Sequence, residues 1–251
     1  MHVLVIGAAG MIGRKLTARL VRERELRGQP IKKLTLQDIV APEEPRDQPF
    51  EIVTRGGDLS VPGEAGALVA DNPDVIFHLA AIVSGEAEAD FDKGYRINFD
   101  GTRFLFDAIR ARKYLPRVVY TSSIAVYGAP FDGPVKDDFH LTPLTSYGTQ
   151  KAIGELLLAD YTRRGIFDGI GLRLPTICVR PGKPNKAASG FYSSIIREPL
   201  AGQEAILPVP ETLRHGHASP RSAVGFLIHA ANIDGAKVGP RRNLSMPSVS
   251  V

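Results

Sequence analysis

The stretch from His2 to Leu20, HVLVIGAAGMIGRKLTARL, decides the fold. It opens with a short apolar run rich in β-branched residues and stopped by glycine, which reads as a buried strand. Glycines follow at positions 7, 10 and 13, and Ile12, Leu16 and Leu20 then recur at helical spacing. A glycine triplet directly after a strand and at the opening of a helix has the context of a dinucleotide-binding turn. Gly7 permits the sharp turn, Gly10 lets the backbone approach a pyrophosphate, and Gly13 lets the helix pack close to the strand. The helix start then offers free N–H groups and a positive dipole end to phosphate. Met11 and Ile12 therefore join the three glycines as cofactor-binding candidates.

Outward from this unit the pattern repeats. KLTLQD (33–38), EIVTRGGD (51–58), DVIFHLA (74–80), RVVYTS (117–122) and DGIGLRLP (168–175) read as further strands, the last stopped by Pro175. Between them, positions 95–112 place Ile97, Leu105 and Ile109 on one helix face, and positions 146–165 read as a helix with Gly165 at its C-terminal cap. Strands alternating with helices predict an α/β fold: a Rossmann-type, doubly wound parallel sheet. The segment IVAPEEPRDQP (39–49) reads as a surface loop. After Pro175 the chain becomes rich in Gly and Pro, in RPGKPNKAASG (180–190) and EAILPVPETLRHGHASPR (204–221). The expected division is a dinucleotide-binding domain over 1–175 and a small, irregular substrate-binding lobe over 176–251, interleaved with the last Rossmann elements. One helix is expected within the second part, with Ser219 as N-cap and Pro220 at its first position. The final residues, NLSMPSVSV, read as a strand leading into something further.

With 251 residues, 43% hydrophobic and 23% charged, the chain can bury a substantial core. Its formal charge of +4 is spread along the chain. The run RKLTARLVRERELR (14–27) includes Glu23 and Glu25, so it reads as a solvated helix face and not as a nucleic-acid patch. A mild positive excess suits an anionic small molecule. Cys178 is the single cysteine, which excludes an intramolecular disulfide and fits the cytoplasm; within TICV it reads as a small core residue. No stretch has the roughly 18 apolar residues of a membrane span, and MHVLVIG reaches glycine too soon for a signal peptide.

Two further places carry chemistry. Asp38 ends the second strand, 31 positions after Gly7, the charged insert RERELRGQPIKK (22–33) accounting for the length. An acid there binds ribose hydroxyls and repels a 2′-phosphate, which favours NAD over NADP; Arg14 is the counter-signal, a base able to accept that phosphate. Tyr147 and Lys151 are four apart on a predicted helix and share a face. A neighbouring ammonium lowers the pKa of a phenol, so the pair is suited to moving a proton on or off an alcohol.

The glycine turn, strand-end serines and Tyr-x-x-x-Lys occur in this order at domain-scale spacing. With GDLS (57–60), HLAA (78–81), INFDGT (97–102), VVYTSSIAVYG (118–128) and LRLPT (172–176), the chain resembles an extended short-chain dehydrogenase/reductase, the group that includes sugar-nucleotide epimerases and dehydratases. The resemblance covers positions 3 to 176. It implies NAD as cofactor, with Asp58 and Leu59 beside the adenine and Leu79, Ala80 and Ala81 passing under the cofactor. It further implies that Asn98 supports the cofactor, Ser122 lies near the nicotinamide, and Pro175 and Thr176 close over it. Ser123, Tyr147 and Lys151 are the implied catalytic residues. The acid pair common in dehydratases after the strand-end hydroxyl is missing from TSSIAVYG. Segments 173–202, 213–232 and 80–103 resemble a branch oxidising the C2 hydroxyl of a four-carbon sugar acid, D-erythronate, to 2-oxo-erythronate. A carboxylate substrate needs a cation or a nest of donors; Arg180, Lys183, Lys186 and Arg221 are the basic candidates. Ser84 reads either as a donor to a substrate hydroxyl or as a helix cap. His215 and His217 lack an acidic or cysteine partner at metal-ligand spacing, so no metal is expected. The alternatives are a nucleotide-sugar epimerase with tightly held NAD, and a dinucleotide-sensing regulator without chemistry. A homodimer through the helices after the fourth and fifth strands is also implied.

Overall fold

The structure, a computed structural model, describes residues 1–131, 133–136, 139–182 and 186–251. The expected α/β architecture is present. Seven parallel strands form the central sheet: β1 (His2–Ile6), β4 (Lys33–Asp38), β5 (Glu51–Gly56), β6 (Val75–His78), β7 (Arg117–Ser123), β8 (Asp168–Leu174) and β11 (Asn243–Ser245). Their order is β11-β8-β7-β6-β1-β4-β5. The chain runs outward from β1 through β4 to β5, then returns to place β6 on the other side of β1. That reversal opens a crevice at the carboxyl ends of β1 and β6, where doubly wound sheets bind ligands.

The alternation of side chains along each strand builds two cores. Val3 and Val5 face one layer, with Leu34, Leu36, Phe77 and Val119, and are covered by α1 (Met11–Glu23) and α8 (Pro220–Asn232). Leu4 and Ile6 face the other, with Ile76, Val118 and Tyr120, and are covered by α2 (Glu64–Leu68), α5 (Gly101–Arg112) and α6 (Ser146–Arg163). Val3 to Ile6 have no exposed surface; each such side chain contributes roughly 1.5–3 kcal/mol of burial. Ser219 caps α8 by accepting the Ser222 N–H at 3.0 Å, and Pro220 takes its first position. Gly165, at φ +69°, ends the hydrogen bonding of α6 as expected.

Three local features differ from the sequence reading. Arg24, in the left-handed conformation, ends α1, and a hairpin of β2 (Glu25–Leu26) and β3 (Gln29–Pro30) occupies part of the insert read only as charged excess. The helix expected over 95–112 is composite: α3 (Ser84–Ala89) and α4 (Phe91–Gly94) lead into a π-turn over Tyr95–Asp100 before α5 begins. Beyond Pro175, β9 (Thr176–Ile177), β10 (Gly216–Ala218) and β12 (Val249–Ser250) form a second, three-stranded sheet beside α7 (Phe191–Leu200), whereas α8, α9 (Gly235–Val238) and β11 pack on the main body. No helix is long and apolar enough to cross a membrane among the described residues.

Candidate active site

The turn after β1 is a cradle shaped by absent side chains. Gly7 has φ +90°, and a Cβ there would lie 2.7 Å from the Ala80 backbone nitrogen. A Cβ on Gly13 would collide with the Gly7 carbonyl oxygen. Gly10 caps α1 without a side-chain bond, and the first turn of the helix holds no acidic residue. The positive end of α1, with the N–H groups of Met11, Ile12 and Gly13, is therefore left for an anion. The carboxylate of Asp38 at the end of β4 accepts the Ala9 N–H at 2.9 Å and the Ile39 N–H at 2.7 Å, which fastens the acid to the turn. Arg14 donates to the Ala9 carbonyl at 2.7 Å. Open backbone, uncapped helix and strand-end acid together fit a dinucleotide.

The flanks are equally organised. Asp58 accepts from Ser60 and, at 2.7 Å, from Arg96; burial opposes its charge, but these bonds outweigh it and hold the carboxyl below its usual range. Leu59 is buried in the core under α5. The Leu79 N–H donates to the Ile6 carbonyl, continuing the β1–β6 ladder into Ala80 and Ala81. Asn98, in the π-turn, accepts the Ile82 N–H at 2.9 Å, donates to the Ile82 carbonyl at 3.2 Å, and reaches the Gln150 side chain at 2.8 Å. It thus ties the segment after β6 to α6.

Ser123, Tyr147 and Lys151 meet at the end of β7. Thr145 caps α6 by accepting the Gly148 N–H at 3.0 Å. Gly148 lets that first turn press on the Ala125 carbonyl, where a Cβ would collide. Tyr147 is thereby brought to the Ser123 hydroxyl, which also accepts the Ala125 N–H at 3.1 Å. Lys151 is 3% exposed; its Nζ donates to the Thr121 carbonyl at 2.8 Å and lies 4.9 Å from the Tyr120 ring centre and 5.8 Å from that of Tyr147. Burial pushes Lys151 down to about 7, with Glu155 opposing. Burial pushes Tyr147 up to about 12, partly offset by its bond to Ser123. The sequence reading had the ammonium lowering the phenol; in the free protein, burial is the largest influence on Tyr147 and moves it the other way.

Other expected residues have different surroundings. The Ser122 hydroxyl, expected beside the nicotinamide, donates to Glu155 at 2.5 Å and is buried; its side chain is committed to the interior of the protein. Thr121 donates to the His78 carbonyl at 3.1 Å, a structural bond. Ser84 begins α3, whose N-cap is Val83, and its Oγ accepts the Ala188 N–H at 3.0 Å, joining α3 to the region before α7. Thr176, next to Pro175, hydrogen-bonds His215 at 2.7 Å. Tyr192 on α7 contacts both His215 and His217. Cys178 is half-buried, 3.7 Å from His217, and not a core residue. Arg180 is half-buried, with burial and then Arg197 lowering its pKa, and no carboxylate pairs with it among the described residues. Lys186 and Arg221 are exposed; Lys183 lies outside the described residues. No group of three metal-ligating side chains is present among the described residues. The sequence reading missed Glu155 and Arg173, a buried pair beneath the site; the signal was an arginine inside the otherwise apolar strand GIGLRL.

A strand–glycine turn–helix at the head of a parallel sheet, with a tyrosine and lysine at the end of β7, defines a dinucleotide-binding protein of the Rossmann type. The chain belongs to the NAD dependent epimerase/dehydratase family, whose model matches residues 3–218. It is 50% identical over 256 residues to a D-erythronate dehydrogenase of Cupriavidus necator, spanning all of this chain and 78% of that protein. It is 41% identical to a D-erythronate dehydrogenase of Haemophilus influenzae, again over all of this chain and 78% of the relative. Among solved structures, that of a nucleoside-diphosphate-sugar epimerase from Agrobacterium tumefaciens superposes with a TM-score of 0.96 at 70% identity, covering all of this chain and 74% of that one.

Proposed function

We propose that this chain is an NAD-dependent dehydrogenase that oxidises the C2 hydroxyl of a small sugar acid, D-erythronate, to 2-oxo-erythronate. The observation that carries the reading is the meeting of Ser123, Tyr147 and Lys151 beside the β1–β6 crevice, in a chain half identical to a D-erythronate dehydrogenase.

Gly7, Gly10, Met11, Ile12 and Gly13 hold the pyrophosphate and Asp38 the adenosine ribose. Asp58 and Leu59 wall the adenine, and Leu79, Ala80, Ala81, Asn98, Pro175, Thr176 and the backbone of Ser122 line the rest of the dinucleotide. When bound, NAD supplies the hydride acceptor. Ser123 holds the reacting hydroxyl of the substrate. Tyr147, as phenolate, takes its proton. Removing a proton from a phenol held near 12 is practicable near neutral pH only with a cation kept beside it, and Lys151 is that cation. Arg180 is the first candidate for the substrate carboxylate, because its half-buried guanidinium has no acid partner among the described residues; Ser84 and Arg221 are secondary candidates. Residues 1–175 form the cofactor domain, and 176–251 the substrate lobe together with the last elements of the main body. Two chains pair through α5 and α6, where Leu156 is exposed. A single free cysteine suits the cytoplasm.

The decisive experiment is NADH formation with D-erythronate, its stereoisomers and nucleotide-linked sugars, using NAD and NADP in parallel. Turnover with D-erythronate and NAD is expected, and Tyr147→Phe should lower it by roughly 10²–10⁴-fold while leaving NAD binding intact. Near-full activity of that variant would remove Tyr147 from its role. The Agrobacterium structure's name favours a second reading, an epimerase with tightly held NAD; it predicts conversion of a nucleotide sugar with no net NADH.

A further inference from the structure

Beneath the three residues of the proposed active site lies an ionic layer that the reaction as described does not use. Glu155 is one helical turn after Lys151 on α6 and is 1% exposed. It accepts the Ser122 hydroxyl at 2.5 Å and two nitrogens of Arg173, Nε at 3.0 Å and Nη2 at 2.8 Å. Arg173, itself buried, donates through Nη1 to the Tyr127 hydroxyl at 2.5 Å. Ser122 and Arg173 are also direct partners across the β7–β8 register. A buried ion pair is weak evidence for stability, since apolar residues of the same volume often serve as well or better.

The position of the layer suggests another role. Thr121, Ser122 and Ser123 are consecutive. The first lends its carbonyl to Lys151, the second is fastened to Glu155, and the third meets Tyr147. One carboxylate thus anchors the strand end that positions both of the other groups. We propose that Glu155 and Arg173 are positioning residues: the pair pins the end of β7 under Lys151 and Tyr147, and Glu155 sets a carboxylate one helical turn from Lys151. This rests on the reading in which Tyr147 and Lys151 carry the proton chemistry.

The charged and titratable groups around Lys151 are Tyr147 and Glu155 on α6, Tyr120 on β7, His78 at the end of β6, and Arg173 on β8 behind Glu155. His78 is held neutral by burial, down to about 3, so it adds no competing charge near pH 7. Lys151 makes no ion pair within 4 Å among the described residues, and Glu155 is the group that opposes the loss of its proton.

The test is a titration of Lys151 in the full chain, free of ligand, read by nuclear magnetic resonance with isotope-labelled lysine and assigned by the signal lost in Lys151→Met. Burial holds this lysine at about 7, well apart from ordinary lysines at about 10.4. Glu155→Gln keeps an acceptor for Ser122 but removes the carboxylate that opposes loss of the Lys151 proton, so Lys151 should titrate about one pH unit lower, a tenfold change in its dissociation constant. Arg173→Gln leaves Glu155 to Lys151 alone and should move Lys151 higher. Reversed or absent shifts in folded variants overturn the proposal. If either single variant fails to fold, Glu155→Gln/Arg173→Gln removes both charges; a downward shift supports the proposal and an unchanged titration overturns it. With D-erythronate and NAD, Glu155→Gln should also lose at least about tenfold in kcat with KM for NAD little changed. The titration needs no substrate, so a wild-type protein inactive on D-erythronate would sink the assigned reaction, while the shifts of Lys151 would still decide the role of the pair.

Discussion

Replacing Gly7 with alanine tests the cradle at its tightest point. The residue sits at φ +90°, and an added Cβ would lie 2.7 Å from the Ala80 nitrogen and 2.9 Å from the Leu79 carbonyl carbon. Both are backbone atoms of the strand end after β6, so neither can swing aside as a side-chain tip would. The left-handed conformation alone costs an L-residue roughly 1–2 kcal/mol. Forcing the two strand ends apart adds about 1–3 kcal/mol, as overpacking does. Gly28→Ala is the matched control: its φ is +67°, but nothing lies within 4 Å of the new Cβ. Urea unfolding should therefore show Gly7→Ala destabilised by roughly 2–5 kcal/mol and Gly28→Ala by no more than about 2 kcal/mol. Calorimetric titration with NAD should show affinity reduced by at least about tenfold for Gly7→Ala, in line with the close backbone approach the turn requires, and unchanged for Gly28→Ala. Equal stability losses and equal NAD affinities in the two variants would refute the role of close approach.

Asp38→Gly should narrow the preference for NAD over NADP, measured as the ratio of kcat/KM, because the variant no longer sets a carboxylate against a 2′-phosphate; an unchanged ratio would assign discrimination elsewhere. His78 makes acid stability testable. Its folded pKa, about 3, lies below the ordinary 6.5, so below pH 6.5 the unfolded chain binds the extra proton. The stability this group contributes is present above pH 6.5 and is lost as pH falls toward 3. His78→Leu should flatten that loss by up to one proton, about 1.4 kcal/mol per pH unit, despite surrendering the bond to Thr102; unfolding free energies at pH 6.5 and 4.5 with the same slope as wild type would contradict it.

The central sheet was legible because its strands are apolar runs punctuated by glycine and proline, and because the helices between them follow a 3.6-residue period. The two- and three-residue strands of the hairpin and of the second sheet are too short to show a period at all. The π-turn at Tyr95–Asp100 also has no pattern of its own; it exists where Asn98 reaches the backbone of Ile82, a tertiary bond. At the site, residue types and spacing carried Tyr147 and Lys151, and the family resemblance carried Ser123, but spacing says nothing about solvent. The direction of the Tyr147 shift therefore emerged only once burial was known. Glu155 and Arg173 read as ordinary charges in sequence, since their pairing joins a helix to a strand 18 positions further along the chain.

The joints of the second sheet have a consequence for how recognition can change. Only Pro175 separates β9 from β8, and only Ser219 separates β10 from α8, while His217 and Thr176 lie side by side in register. The chain between these joints leaves the main body and returns to it at neighbouring points, like an insertion with closed ends. Substitutions and length changes within 179–214 can remodel what that insertion presents while both anchor points stay fixed. Under the proposed function, a graft exchanging this one segment between relatives should carry substrate preference with it and leave NAD binding unchanged.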